Sequence, residues 1–239
     1  MIRWQHSTST TTPKQARSQA RLERILDAAE HVFARVGFES ASIAQIMRRA
    51  KSSVGVFYQR FQSKEELFGA VVQRFTDQAI NTADELFTSA QYRPTTPTEL
   101  LPQVMPLLVS VYRERRGLLR AILLRASVDP SIHAQAHRAE RHIEQHLERL
   151  IFPEGNRSPD RRTLFRLAYQ MLRSALNTMI LFDVPEKAGL HLDDPDLERH
   201  LTLAFLRLIG ERCRDLSFSE KRPSARQPND RLSFKRRSS

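Results

Sequence analysis

From residue 18 onward, apolar side chains recur three and four positions apart. Leu22, Ile25, Leu26, Ala29, Val32, Phe33 and Val36 form one stripe, which predicts a helix with a single buried face. Gly37 is expected to end it as a left-handed cap, with Phe38 folding back as the apolar contact. Ser42-Ile43-Ala44-Gln45 reads as a capping box opening a second, short helix, whose Ile43, Ile46, Met47 and Ala50 again share a side. Lys51 and Ser52 interrupt. Ser53 is expected to cap a third short helix that ends near Phe61. Ser63-Lys64-Glu65-Glu66 reads as a second capping box, opening a helix that should reach about residue 90. After a loop at Tyr92–Pro97, further helices are expected near 98–114, 117–127, 130–151, 159–183 and 194–214. Their breaks are Gly117, Asp129-Pro130, the Pro153–Pro159 stretch and the Pro185–Pro195 stretch. The pattern predicts an all-α chain of about nine helices: a helix-turn-helix unit over 18–66 and a larger helical unit over 67–215. Residues 1–17, rich in Ser, Thr and Gln, are expected to be a flexible basic arm. Residues 216–239, polar, basic and holding two prolines, are expected to be a disordered tail.

Composition narrows the class. The chain has 239 residues and only seven glycines. Its one cysteine, Cys213, excludes an intramolecular disulfide and suits a reducing compartment. MIRWQHSTSTTTPK lacks the apolar core of an export signal, and no apolar run approaches the roughly 18 residues of a membrane span. A cytoplasmic protein is expected.

Charge divides unevenly. Residues 1–74 carry 12 Lys/Arg against 6 Asp/Glu, residues 75–215 carry 19 against 19, and residues 216–239 carry 7 against 2. The whole net charge of +11 therefore lies at the two ends. A basic end on a neutral body suits contact with a polyanion, though basic ends also serve solubility.

The stretch SSVGVFYQRFQSKEEL, from Ser52 to Leu67, carries the chemistry. Two short helices joined by a turn suggest a helix-turn-helix. Phe57 and Phe61, four apart, share a face and can pack on the preceding helices. Tyr58 lies one step round, with its hydroxyl free to reach outward. Gly55 costs about 1 kcal/mol against alanine inside a helix, and its missing side chain permits close approach of another surface. Lys64 sets a positive charge in a helix first turn, against the helix dipole. A phosphate at that helix end would suit both the free N–H groups and the lysine; a solvated lysine is the plainer explanation.

Residues Ile25 to Leu67 resemble the DNA-binding domain of the tetracycline-repressor (TetR) family. That family's motif runs Thr-x-x-x-Ile-Ala-x-x-Ala-Gly-Val-Ser-x-Gly-x-Leu-Tyr-x-x-Phe-x-Ser-Lys-Glu-x-Leu. This chain matches it in register at Ser42, Ile46, Ala50, Ser53, Gly55, Tyr58, Phe61, Ser63, Lys64, Glu65 and Leu67. The resemblance implies double-stranded DNA as partner. It implies phosphate contacts from Tyr58, Lys64 and Ser42, with Gln45 beside them. It implies a groove-facing surface of Ser52, Ser53, Val54, Gly55, Val56 and Gln59. Lys51 departs from the family's turn glycine, and Ser52 from its valine. Either Lys51 adopts a left-handed conformation at about 1 kcal/mol, or the turn shifts.

In that family the remaining helices form a dimerisation and ligand-binding domain. The 159–183 segment is apolar on more than one face and has to bury both. Phe165, Leu172, Leu176 and Met179, with Leu201, Phe205 and Leu208 of the last helix, are expected at a homodimer interface. Gln103, Tyr112, Arg125, Tyr169, Arg173 and Asn177 are polar groups beside apolar faces that could orient a small-molecule effector. His133, His137, His142 and His146 fall on one predicted helix. The last two have the i, i+4 spacing that can hold a metal. Glu140, Arg141, Glu144, Glu148 and Arg149 around them look like a solvated face, so no metal and no cofactor is assigned. Nothing catalytic is assigned either. The expected function is a ligand-responsive DNA-binding regulator, a repressor by the family's habit. The alternatives are a DNA-binding adaptor answering to a protein, and an enzyme or carrier with a vestigial helix-turn-helix.

Overall fold

The computed structural model describes residues 13–88, 96–152, 159–182 and 190–211. The expected arm up to residue 12, the loop residues before Thr96, most of the two proline-rich breaks and the 216–239 tail lie outside the described residues. The described residues form nine helices and no strand: α1 Pro13–Ser40, α2 Ile43–Arg49, α3 Val54–Tyr58, α4 Lys64–Thr88, α5 Pro97–Glu114, α6 Arg116–Ala126, α7 Pro130–Ile151, α8 Pro159–Phe182 and α9 Leu197–Leu208. The fold class is all-α. None of these helices is long and apolar enough to cross a membrane.

Two boundaries differ from the periodicity. α1 starts at Pro13, so residues 13–17 are helical rather than arm. Gln15 and Arg17 are good helix formers that need no buried face, and Ser18 just beyond is held by Arg60 through its carbonyl and hydroxyl oxygens. α3 ends at Tyr58, with Gln59 as its C-cap, not at Phe61.

The chain divides into two compact units, residues 1–71 and 72–239, with the division inside α4. It falls at Val71 rather than after residue 66 because Leu67, Phe68 and Val71 are buried in the first unit's core. The Phe68 ring meets Phe33 edge-on at 4.9 Å and Phe38 at 5.0 Å. Gly37 does end the regular part of α1, at φ 76° and ψ 174°. That is not the left-handed helical cap expected but a region open essentially to glycine alone, and it turns Phe38 back to lie 6.0 Å from Phe33.

The second unit is a helical bundle with a buried core that joins α5, α7, α8 and α9 through Leu100, Val109, Leu147, Phe165, Leu176 and Leu206. Arg113 on α5 pins the segment before α9. Its guanidinium donates to the Leu192 carbonyl (2.7 Å) and the Asp194 carbonyl (2.9 Å) and pairs with Glu198 (2.5 Å). Asp194 then accepts from the Asp196 N–H at 2.8 Å, which delays the start of α9 to Leu197.

Candidate nucleic-acid interface

α2 opens as its sequence demands. The Ser42 hydroxyl accepts from the Gln45 N–H at 3.2 Å, and the Gln45 side chain accepts from the Ser42 N–H at 3.1 Å. Both helix-end donors are satisfied reciprocally. Gln45 is thereby committed to the cap, while Ser42 stays exposed.

The turn after α2 answers the question Lys51 raised. Lys51 has φ 50° and is the one non-glycine with positive φ among the described residues. The Lys51 N–H donates to the Arg48 carbonyl (3.2 Å) and the Ser52 N–H to the Met47 carbonyl (3.0 Å). This is a Schellman cap with lysine at the position glycine normally fills. At the end of α9 the same pair of bonds forms with Gly210 in that place, at φ 81°. The turn is not shifted; the side chain tolerates the strain.

α3 is anchored by one residue. Phe57 is fully buried, with its ring 5.7 Å from Phe61 and 5.1 Å from Tyr58. Around that anchor Ser53, Gly55 and Gln59 are exposed, Val54 is 42% exposed and Tyr58 61% exposed, while Val56 and Ser52 are half-buried. A Cβ built on Gly55 meets nothing nearer than the Ser53 hydroxyl at 3.8 Å. Nothing within this unit requires a glycine there.

Lys64 opens α4 as expected, but its ammonium is engaged within the chain. Its ammonium donates to the carbonyls of Phe38 (2.9 Å), Glu39 (3.2 Å) and Ala41 (3.1 Å), and lies 4.4 Å from the centre of the Phe38 ring. An ammonium has three protons, and all three have acceptors. The charge that opposes the α4 dipole is thus absorbed by carbonyls left over at the end of α1. Ser63 caps α4 through the Glu66 N–H (3.1 Å), but the Glu66 carboxylate reaches one residue further back, to the Gln62 N–H (2.5 Å). The expected capping box is therefore only half formed.

Residues 25–71 match the family described as "Bacterial regulatory proteins, tetR family". The match lies within the first compact unit, which is thus similar to the N-terminal domain of tetR-family regulators. Over 71 residues the chain is 41% identical to the A-factor receptor protein of Streptomyces griseus, a match covering 30% of this chain and 24% of that protein's length. It is 24% identical over 197 residues to the HTH-type transcriptional regulator UidR of Escherichia coli K12, covering 80% of this chain and 90% of UidR. Among solved structures it is similar in fold to the regulator FadR of Bacillus subtilis in complex with stearoyl-CoA. That likeness has a TM-score of 0.56 and 18% identity, covering 79% of this chain and 97% of that one. α2, the turn at Lys51 and α3 lie within the matched residues and have helix-turn-helix geometry.

Sequence reasoning passed over a basic cleft of about 280 Å³ in the same unit, lined by His31, Val32, Arg35, Gln45, Arg48 and Arg49. Burial, then Arg49 and Arg35, hold the His31 pKa below its ordinary value. The signal was present as the Arg48-Arg49 pair in the last turn of α2, where cations suit the helix dipole without any ligand.

In the second unit, four of the six expected pocket residues come together. The Tyr112 hydroxyl donates to Asn177 Oδ1 (3.1 Å), the Tyr169 hydroxyl donates to the Glu140 carbonyl (3.3 Å), and Arg173 pairs with the Glu140 carboxylate. Burial pushes Tyr112 up to about 12 and Tyr169 further up, against the pull of Arg173. Burial also raises the Glu140 carboxyl, opposed by Arg173. Gln103 and Arg125 do not join them. Gln103 is exposed and bonds its own helix at the Glu99 carbonyl, and Arg125 pairs with Asp129 at 3.2 Å.

Most of the residues expected at a dimer interface lie in the core of the single chain. Phe165, Leu172, Leu176, Leu201 and Phe205 are buried within the single chain, and Met179 and Leu208 pack against the same core. The five buried residues hold the bundle together within one chain, while Met179 and Leu208 remain partly exposed. α8 has instead a second stripe, Leu164, Leu167 and Met171, at 39%, 47% and 51% exposure. α8 is therefore apolar on two faces, one buried in its own core and one exposed.

Proposed function

We propose that this protein acts in the cytoplasm as a homodimeric repressor on an inverted-repeat operator, released by a small apolar or amphipathic effector bound in residues 72–211. One observation carries the DNA half: Phe57 locks α3 while Ser53, Val54, Gly55, Tyr58 and Gln59 are turned out to solvent. Gln59 is suited to pair with adenine and Val54 to touch a thymine methyl. Ser42, Tyr58 and the Arg48/Arg49 pair supply phosphate contacts that set the register. Lys51 sits beside this surface and adds charge. The exposed Leu164–Leu167–Met171 stripe supports dimerisation, since an apolar stripe at helical spacing is costly to leave wet. Effector binding draws on the buried polar group around Tyr112, Asn177 and Arg173, and on FadR having stearoyl-CoA bound.

The test is selection of a bound site from random duplexes, followed by sedimentation of the complex. Two protomers on an inverted repeat with half-site centres about 34–36 Å apart, or a multiple of that, is the expected result. Monomer alone and monomer on DNA would overturn it.

A second reading draws on one further observation. Tyr112 pairs with Asn177, Tyr169 with the Glu140 carbonyl and Arg173 with the Glu140 carboxylate, so that Arg173 Nε is the one buried donor of this group left without an acceptor. A protein partner rather than a small molecule would then control the switch. Titrating an inducing small molecule with and without saturating operator separates the readings, because a true inducer must bind more weakly to the operator complex, by a factor of order 5–150.

A further inference from the structure

Along the sequence the α7 histidines are flanked by charged residues, the pattern of a solvated face. What faces them comes from α4. In the structure Asp84 Oδ1 lies 2.7 Å from His142 Nε2 and 3.5 Å from His146 Nε2. One potential ligand atom from each of the three side chains falls within 4.8 Å of the others, the one such group of three among the described residues.

We propose that Asp84, His142 and His146 form a site for a first-row divalent transition metal, with zinc as the representative ion. Two imidazoles and one carboxylate are borderline ligands that suit zinc, nickel or cobalt over magnesium or calcium. Zinc takes these ligands at about 2.0–2.2 Å, so tetrahedral geometry sets their donor atoms a little over 3 Å apart, close to the 3.5 Å already present between His146 and Asp84. The His142–Asp84 pair is a hydrogen bond at present and has to open by less than an ångström. The fourth position is left to water, since the three side chains are only partly buried, at 30%, 26% and 44% exposure for His142, His146 and Asp84.

The support around the site fits a metal better than a lone ion pair. His146 Nδ1 lies 3.0 Å from the His142 carbonyl. That acceptor holds the ring proton on Nδ1 and leaves the Nε2 lone pair aimed at Asp84, the usual way a ligating histidine is oriented. The Phe87 ring stacks on His146 at 5.8 Å and 12°. The two imidazoles lie 4.4 Å apart by centroid. The other histidine pair on α7 differs. His133 and His137 contact each other through Nε2 at 2.8 Å, but the carboxylate beside them, Glu140, is already paired with Arg173. A carboxylate neutralised by arginine is a poor metal ligand, so this pair is the internal control. A metal at the proposed site joins α4 to α7 by coordinate bonds where the present contact is a hydrogen bond.

The experiment uses the full-length chain stripped with chelator, then titrated with Zn²⁺ against a chromogenic competitor. One equivalent per chain is expected. His142→Ala with His146→Ala should abolish it, and Asp84→Asn, which keeps shape and half-exposure, should weaken it at least about tenfold. His133→Ala with His137→Ala should leave it in place. Zn²⁺ should raise the melting temperature of the unaltered protein and of the His133/His137 variant, but not of the His142/His146 variant. Retention of the full equivalent by both the His142/His146 and Asp84 variants would overturn the assignment. So would no uptake by the unaltered protein below about 100 μM free zinc.

Discussion

Replacing Lys64 with methionine separates two roles that the sequence could not distinguish. Methionine keeps most of the stem length and removes the ammonium. The loss comprises charge-assisted bonds to three carbonyls, those of Phe38 and Ala41 part-buried and that of Glu39 exposed. Taking about 1.5 kcal/mol for each part-buried bond, nothing for the exposed one and about 0.5 kcal/mol for the ring contact gives about 3.5 kcal/mol. Ordering a lysine side chain costs up to about 2 kcal/mol, part of which is recovered, so the net loss should be about 2 kcal/mol. The loss is local to the joint between α1 and α2. Hydrogen exchange of the amides over residues 38–42 should therefore accelerate about 30-fold, at 1.36 kcal/mol per tenfold. DNA affinity should fall through disorder of that joint, with the slope of log affinity against log salt unchanged. A phosphate contact makes the opposite prediction: unaltered exchange and a slope reduced by about 0.9. That second pattern would refute the carbonyl-clamp reasoning.

Four further outcomes are expected. Gly55→Ala should stabilise the first unit by up to about 1 kcal/mol and yet weaken operator binding, as read by paired melting and binding curves; unchanged binding would mean nothing approaches Gly55. Lys51→Gly should relieve the strained φ and raise stability by about 0.5–1 kcal/mol in chemical denaturation, while flattening the salt dependence of DNA binding. Leu167→Glu with Met171→Glu should give a folded monomer by sedimentation and circular dichroism, whereas Leu176→Glu should unfold the second unit; a dimer persisting in the first variant would move the interface elsewhere. Tyr112 ionises at about 12 rather than 10.0, so its stabilising contribution is whole below pH 10 and disappears as pH rises from 10 to 12, a loss on the order of 2 kcal/mol that Tyr112→Phe should remove from an alkaline titration of stability.

The sequence alone determined whatever depends on near neighbours. Most helix spans followed from apolar periodicity and the Ser42–Gln45 capping box from two residues three apart, whereas the choice between a left-handed Lys51 and a shifted turn was left to the structure. The α3 surface was legible for the same reason: in a five-residue helix, one buried Phe57 fixes which positions face outward. What the sequence left open depends on contacts between distant residues. α8 announced two apolar faces, but periodicity cannot say which one its own core takes, because that is set by α5, α7 and α9 packing on Phe165, Leu172 and Leu176. Lys64 looked like a free cation because the carbonyls that hold it lie 23 to 26 positions earlier. The α7 histidines looked like a solvated face because their carboxylate, Asp84, stands 58 residues away on another helix. Local sequence fixes the geometry of a cap within a few residues. The partner of a charged or polar side chain is decided only when folding brings remote segments together, and tertiary structure alone records it.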